Sequence, residues 1–164
     1  MLDREVVEIA EKVAELLVAK NATVAVSDAA CGGLIGAYLV AVPGASKFFV
    51  GSRTAYTVKS RLTLSGWSQD EINSYTGPSE EVAARMGRRL RLELGATYVL
   101  AETGWAGPSA DENGQVGSVY LSVAGPTGTV SKKASTGLQD RLENMAAFAR
   151  LALEYLLEQL SAST

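Results

Sequence analysis

Two short loops that contain glycine carry the residue types that could do chemistry in this chain. The first covers residues 28–33 and follows the apolar run at 23–26, and the second covers residues 103–108 and follows residues 98–101. Open α/β sheets hold their ligands in loops at the carboxyl ends of strands. Glycine lets backbone N–H groups approach an anion, and the N-terminus of a following helix favours negative charge. The pattern therefore predicts a site for a small anionic ligand such as a phosphate.

The chain contains no histidine and a single cysteine, Cys31. This composition excludes Ser–His–Asp and Cys–His catalysis and removes histidine as a general base or a metal ligand. A zinc site is disfavoured for the same reason, and we expect neither a metal nor a cofactor. Any catalysis must use Ser, Thr, Tyr, Lys, Arg, Asp, Glu or the Cys31 thiol.

The length and composition predict one globular domain over residues 1–164, since 47% of the residues are hydrophobic and 20% are charged. A net charge of −3 argues against a nucleic-acid partner. No apolar run reaches the roughly 18 residues that a membrane helix needs, so we expect no membrane contact. The single cysteine and an N-terminus unlike a signal peptide favour the cytoplasm.

Helical periodicity, capping residues and strand-like runs alternate along the first two thirds of the chain, and a hairpin follows. We expect helices over 3–20, 32–42, 58–65, 80–94 and 138–160 and a short helix after Ser68, with strands over 22–27, 48–57, 97–102, 116–124 and 129–135. The order predicts a three-layer α/β/α domain with a five-stranded, mostly parallel mixed sheet. The single antiparallel strand should come from the hairpin at 116–135.

Several motifs occur in an order and spacing that cover nearly the whole chain. They include the segments at 24–34, 43–46, 78–83, 103–108, 116–120 and 140–141. This set resembles the CinA C-terminal domain family, which includes the nicotinamide mononucleotide deamidases. The resemblance implies an α/β/α fold, a homo-oligomer and no metal. It also implies hydrolysis of the carboxamide of nicotinamide mononucleotide to nicotinic acid mononucleotide and ammonia, with a serine nucleophile and a lysine base.

The chain departs from the family pattern at the positions of those two groups. Ala29 stands at the serine position, Arg61 at the lysine position and Met145 where a second arginine is expected, while Asp28 replaces a glutamate and Cys31 a threonine. Alanine carries no nucleophile, and arginine stays protonated and cannot act as a general base. We therefore expect a retained ligand cleft whose Ser–Lys chemistry is lost or impaired.

Two alternatives remain open on the sequence. In the first, the chain is an active amidohydrolase with rearranged groups, using Cys31, Ser27 or Ser52 as nucleophile and Lys59 as a base. Against this, free cysteine usually packs as a small hydrophobe. In the second, the chain is a non-catalytic module that binds a nucleotide or another protein.

The expected site combines three positions aligned with catalytic groups, Ala29, Arg61 and Tyr56, with a set of ligand-binding positions. Arg61 and Arg141 could bind a phosphate or carboxylate through their planar guanidinium groups. Trp105 could stack on a base or narrow the pocket. The predicted ligand is a small anion of the mononucleotide kind. The ligand-binding positions are Asp28, Ala30, Cys31, Gly32, Gly33, Gly51, Thr103, Gly104, Trp105, Ala106, Gly107 and Arg141.

Overall fold

The structure is a computed structural model that describes residues 1–162, and its centre is one five-stranded sheet. The strands lie in the order β2-β1-β3-β4-β5. β1 pairs in parallel with β2 and β3, whereas β4 is antiparallel to both β3 and β5. The predicted mixed sheet with one antiparallel strand is therefore confirmed. The strands are β1 (Val24–Asp28), β2 (Phe49–Thr54), β3 (Tyr98–Gly104), β4 (Ser118–Gly125) and β5 (Gly128–Ser135).

Helices cover both faces of this sheet. α1, α2 and α6 pack on one face and on one another, while α5 lies across β1, β3, β4 and β5 on the other face and contacts α3. The helices are α1 (Arg4–Ala19), α2 (Leu34–Val40), α3 (Val58–Leu64), α4 (Gln69–Asn73), α5 (Glu80–Leu94) and α6 (Arg141–Ala162), with a 3₁₀ turn at Ala45–Lys47. No helix within residues 1–162 combines the length and apolarity needed to cross a membrane.

Local capping signals set most helix starts. Ser68 and Glu71 form the predicted capping box of α4, and the Ser79 hydroxyl accepts the N–H of Val82 at the start of α5. α2 begins at Leu34 and not at 32, because Gly32 and Gly33 have φ values of +64° and +97° that a right-handed helix does not allow. α6 begins after Asp140, whose carboxylate accepts the N–H of Glu143, three residues later than predicted.

The apolar core lies in two layers, one on each side of the sheet. The larger layer contains Leu121, Phe148 and Leu153, and the smaller one contains Leu62 and Met86. β4 is buried on both faces, and its polar Ser122 is satisfied by donating to the carbonyl of Ala83 at 2.7 Å. Since helices close both faces, a ligand reaches the sheet at the ends of its strands.

Candidate functional site

A cleft opens where β1 and β3 end, and it consists of two adjoining cavities of about 280 and 130 Å³. Both cavities contact Ala30, Tyr56, Gly104 and Trp105, so they share a wall. The remaining wall carries two guanidinium groups and one carboxylate, an excess of positive charge that suits an anion. The larger cavity is also lined by Thr57, Val58, Arg61, Tyr75, Gly77, Pro78 and Asp111, and the smaller by Ala106, Gly107, Ser109 and Arg141.

Arg61 of α3 is a buried cation on the wall of the larger cavity, with 7% of its surface exposed. Its Nη2 donates to the Tyr75 hydroxyl at 2.7 Å and its Nη1 to the carbonyl of Tyr56 at 3.4 Å, while its Nε donates to no protein group. Within residues 1–162 no ion pair joins it to a carboxylate. A buried charge of this kind favours a bound counter-anion.

Arg141 lies at the first turn of α6 and lines the smaller cavity. Its Nη2 donates to the Tyr56 hydroxyl at 2.8 Å and its Nη1 to the carbonyl of Gly107. In the described part of the chain it also makes no ion pair. Tyr56 therefore joins the two cations, one through its carbonyl and the other through its hydroxyl.

The loop at 103–108 is held by α6 and β4. Asn144 is fully buried and donates to the carbonyls of Ala106 and Leu138 at 3.0 and 3.1 Å. At Gly104 a Cβ would lie 2.3 Å from the carbonyl oxygen of Ser118, so glycine is required where this strand ends. The loop is fixed in place before any ligand arrives, which favours tight binding.

Trp105 forms the aromatic part of the cleft wall. A Cβ at Gly114 would lie 2.3 Å from its ring and a Cβ at Gly77 would lie 3.1 Å away, so both glycines allow close approach. Tyr120 meets the indole edge-on, with ring centroids 6.3 Å apart. Trp105 lines both cavities, a position compatible with either role expected for it.

The first loop is organised by a buried carboxylate that the sequence analysis does not identify. Glu102 on β3 is fully buried, and its Oε1 accepts the N–H groups of Ala29 at 2.6 Å and of Cys31 at 2.8 Å. The sequence predicts that N–H groups of this loop approach a bound anion, but these two bind a carboxylate of the protein itself. The positive groups that remain for a ligand are the two arginines.

Asp28 and Cys31 lie beside Glu102, and donor atoms of the three residues lie within 4.8 Å of one another. Burial, together with the Glu102 carboxyl, raises the pKa of Asp28 to about 8. Burial and the two carboxyls also raise the pKa of the Cys31 thiol well above its usual range. A protonated, fully buried thiol is a poor nucleophile, which argues against catalysis by Cys31.

The other alternative nucleophiles and the alternative base lie away from the cleft. Ser27 is buried in β1, and Ser52 on β2 packs against Gly36 of α2. Lys59 is exposed on α3 and lines a separate surface hollow with Thr63. Among the described residues that line the cleft, Ser109 is the only serine and no lysine is present.

The structure brings eight of the expected site residues to the cleft wall and leaves the others behind it. Ala29 is 1% exposed and packs against Leu62, while Gly51 lies within β2 opposite Ala25. Residues at the wall are Ala30, Tyr56, Arg61, Gly104, Trp105, Ala106, Gly107 and Arg141; those away from it are Asp28, Ala29, Cys31, Gly32, Gly33, Gly51 and Thr103. Tyr75 and Asp111 also line the cleft, although no sequence motif marks them.

A family model described as the CinA C-terminal domain matches residues 6–160. A CinA-like protein of Desulfosudis oleivorans is 38% identical over 150 residues, which cover 91% of this chain and 36% of that protein. A CinA-like protein of Desulforapulum autotrophicum is 32% identical over 161 residues, covering 98% of this chain and 38% of that protein. The chain therefore spans little more than a third of the length of these relatives.

Solved structures show the same fold at lower sequence identity. A competence-damaged protein (CinA) superfamily protein from Klebsiella pneumoniae superposes with a TM-score of 0.89 at 20% identity, covering 96% of this chain and 98% of that one. The competence/damage inducible protein CihA from Agrobacterium tumefaciens gives a TM-score of 0.89 at 23% identity, covering 96% and 97%. These structures support the architecture described above.

Proposed function

Since the chain belongs to the CinA C-terminal domain family, we propose that its cleft binds a small anionic ligand of the mononucleotide kind without the family's Ser–Lys amide hydrolysis. The observation that supports this most directly is Arg61, a buried guanidinium on the cleft wall with no carboxylate partner in residues 1–162. Arg141 adds a second unpaired cation at the adjoining cavity. Phosphate and carboxylate groups match the planar donor pattern of arginine.

The loss of hydrolysis is supported by the residues that replace the implied dyad. Ala29 has no hydroxyl, and its side chain packs against Leu62 behind the cleft. A guanidinium at position 61 cannot accept the proton of a nucleophile. Losing the nucleophile of such a pair costs several orders of magnitude in turnover.

Calorimetry tests the binding part of the proposal. Nicotinamide mononucleotide, nicotinic acid mononucleotide and adenosine monophosphate are titrated into the wild type, Arg61→Met and Arg88→Met. We expect at least one mononucleotide to bind, and Arg61→Met to weaken it about 10- to 100-fold, the worth of a charged hydrogen bond. Arg88→Met is the matched control, because Arg88 is exposed on α5 and pairs with Glu81.

An absence of heat and of thermal shift with every mononucleotide would contradict the binding proposal and leave a protein-interaction module. Equal affinity in the Arg61→Met and Arg88→Met variants would contradict the role proposed for Arg61 in binding. Either result is decisive, because thermal melting shows separately whether each variant is folded.

Ammonia release from nicotinamide mononucleotide tests the loss of chemistry. We expect none from the wild type, and Ala29→Ser/Arg61→Lys is assayed in parallel because it restores the two implied groups. Wild-type turnover that Cys31→Ala abolishes would contradict the proposal and support an amidohydrolase with rearranged groups. Turnover that Cys31→Ala leaves intact would contradict it as well and direct attention to Ser109.

A further inference from the structure

Three potential metal ligands meet inside the protein, behind the cleft. Asp28 ends β1, Cys31 lies in the loop that follows, and Glu102 lies near the end of β3. Donor atoms of the three lie within 4.8 Å of one another, and their residues are 0%, 1% and 0% exposed. The fold thus joins groups that are separated by up to 74 positions in the chain.

The two carboxyl groups of this cluster have no cation beside them among residues 1–162. No hydrogen bond of standard geometry reaches either oxygen of Asp28 or the Oε2 of Glu102, although the backbone N–H groups of Gly33 and Ile35 lie near enough to Asp28 to act against the rise of its pKa. Buried carboxylates are paired with a cation, hydrogen-bonded, protonated or bound to a metal. Two buried carboxyls this close to each other therefore require a positive species beside them, either a proton or a metal ion.

We propose that Asp28, Cys31 and Glu102 bind one divalent metal ion of the zinc class, through one oxygen of each carboxylate and the sulfur. Two oxygens and a thiolate suit zinc and similar borderline ions better than magnesium or calcium, which prefer oxygen ligands alone. Tetrahedral zinc holds oxygen and sulfur ligand atoms about 3.3–3.7 Å apart, so the cluster contracts by up to roughly 1.5 Å on binding.

The surroundings of Glu102 prepare it for this role. Its Oε1 already accepts the N–H groups of Ala29 and Cys31, which fixes the carboxylate plane and leaves Oε2 directed away from them. Outer hydrogen bonds of this kind orient ligands at metal sites. The Cys31 thiol donates to the carbonyl of Met145 at 3.7 Å and also interacts with the Glu102 carboxyl, and hydrogen bonds from a thiol are weak. The sulfur is therefore not committed to a strong partner.

Metal binding releases the protons that the three side chains carry in the metal-free protein. The thiol proton and any proton carried by the two carboxyls pass to water, and the ion forms bonds to the sulfur and two oxygens with no change of oxidation state. The bound ion ties the ends of β1 and β3 to the loop between them. Gly32, next to Cys31, is the exposed residue of that loop, so the loop lies between the cluster and solvent.

The site is separate from the proposed mononucleotide cleft. Asp28 and Glu102 lie on the sheet face covered by α2 and α6, as their neighbours Val26 and Leu100 do. None of the three ligands lines either cavity of the cleft. Metal binding and mononucleotide binding can therefore be tested independently of each other.

Cobalt(II) is the probe, because a cobalt–thiolate bond gives an ultraviolet charge-transfer band. The full chain is incubated with cobalt(II) at neutral pH, and absorbance, stoichiometry by elemental analysis and thermal melting are recorded. We expect one ion per chain, a charge-transfer band and a higher melting temperature. Cys31→Ser should remove the band, and Glu102→Gln should weaken binding at least about tenfold.

Glu112→Gln is the matched control, because Glu112 is an exposed glutamate outside the cluster, and it should bind cobalt like the wild type. A folded wild type that shows no charge-transfer band overturns the proposal. The positive species beside the two carboxyls is then a proton. Binding that persists in both Cys31→Ser and Glu102→Gln also overturns it, because the ion then lies elsewhere. If Glu102→Gln does not fold, Cys31→Ser alone decides between these outcomes.

Discussion

Arg61 and Glu102 are both buried ionisable residues, yet a sequence motif indicates a site role for Arg61 alone. Arg61 lies in a segment whose motif resembles the family, so its position in the site could be proposed from alignment alone. Glu102 contacts Ala29, 73 positions away, and no local pattern encodes that distance. The signal that could have identified it is a glutamate near the end of a strand that is otherwise apolar, since buried acids occur where a partner is available.

The contact between Gly114 and Trp105 allows a test at a single residue. A Cβ at position 114 would lie 2.3–2.7 Å from three atoms of the indole, too close for real atoms. We expect Gly114→Ala to lower the free energy of unfolding by about 1–3 kcal/mol, the usual cost of overpacking. Urea denaturation of the purified variant measures it.

The matched control places the same change in a Trp105→Ala background, where the clash is absent. There, Gly114→Ala should cost less than about 0.5 kcal/mol, so that the two changes are strongly coupled. An equal cost in both backgrounds would show that the strain lies in the loop backbone and not against the ring.

At the scale of elements, the sequence predicted every strand and helix, and errors fell at their ends. Hydrophobic periodicity and caps such as Ser68 and Ser79 are local signals, so they predict an element without knowledge of its tertiary contacts. The sequence predicts that α2 starts at residue 32, two residues early, because the positive φ values of Gly32 and Gly33 are a property of the folded loop. β3 continues to Gly104 because its last residues pair with β4, a partner the sequence does not specify.

The α4 capping box allows a pH test at the level of one element. Hydrogen bonds from Arg85 and from the N–H of Ser68 lower the pKa of Glu71 from 4.5 to about 2. Because the folded-state pKa is the lower one, the ionised carboxylate stabilises the fold above about pH 4.5. This contribution is lost as the pH falls towards about 2.

We therefore expect Glu71→Gln to melt below the wild type at neutral pH, and the difference to shrink on acidification through that range. Thermal melts between pH 7 and pH 2.5 measure it, with the exposed Glu112→Gln as control. A difference that stays constant across the range would mean that the ionised carboxylate contributes nothing.

At the scale of the molecule, sequence identity near 20% coexists with a TM-score of 0.89. The burial pattern of the five strands and six helices in residues 1–162 therefore defines the architecture at low sequence identity. The cleft's overall position followed from the sequence, because strand ends meet at one edge of a sheet. The sequence does not show which loop N–H groups remain free for a ligand, because their availability depends on packing between β1 and β3.

The two apolar layers share one sheet, so residues 1–162 should unfold as a unit. Phe148 is fully buried in the larger layer, and we expect Phe148→Ala to lower the free energy of unfolding by about 3–5 kcal/mol. Leu142→Ala on the same helix is the control, because Leu142 is 75% exposed and should change stability by less than about 0.5 kcal/mol. Circular dichroism and tryptophan fluorescence should give one coincident transition, and two separate transitions would contradict a single cooperative domain.

The burial of the chain's single thiol has a practical use. Alkylating dyes do not reach a fully enclosed sulfur, so a cysteine introduced on the surface can be tagged without replacing Cys31. Thr127 suits this purpose, because it is exposed in the β4–β5 turn. The eight residues of β4 place it roughly 25 Å from the cleft. A fluorophore at that position would follow tumbling or self-association of the protein while leaving the arginine-lined cavities open.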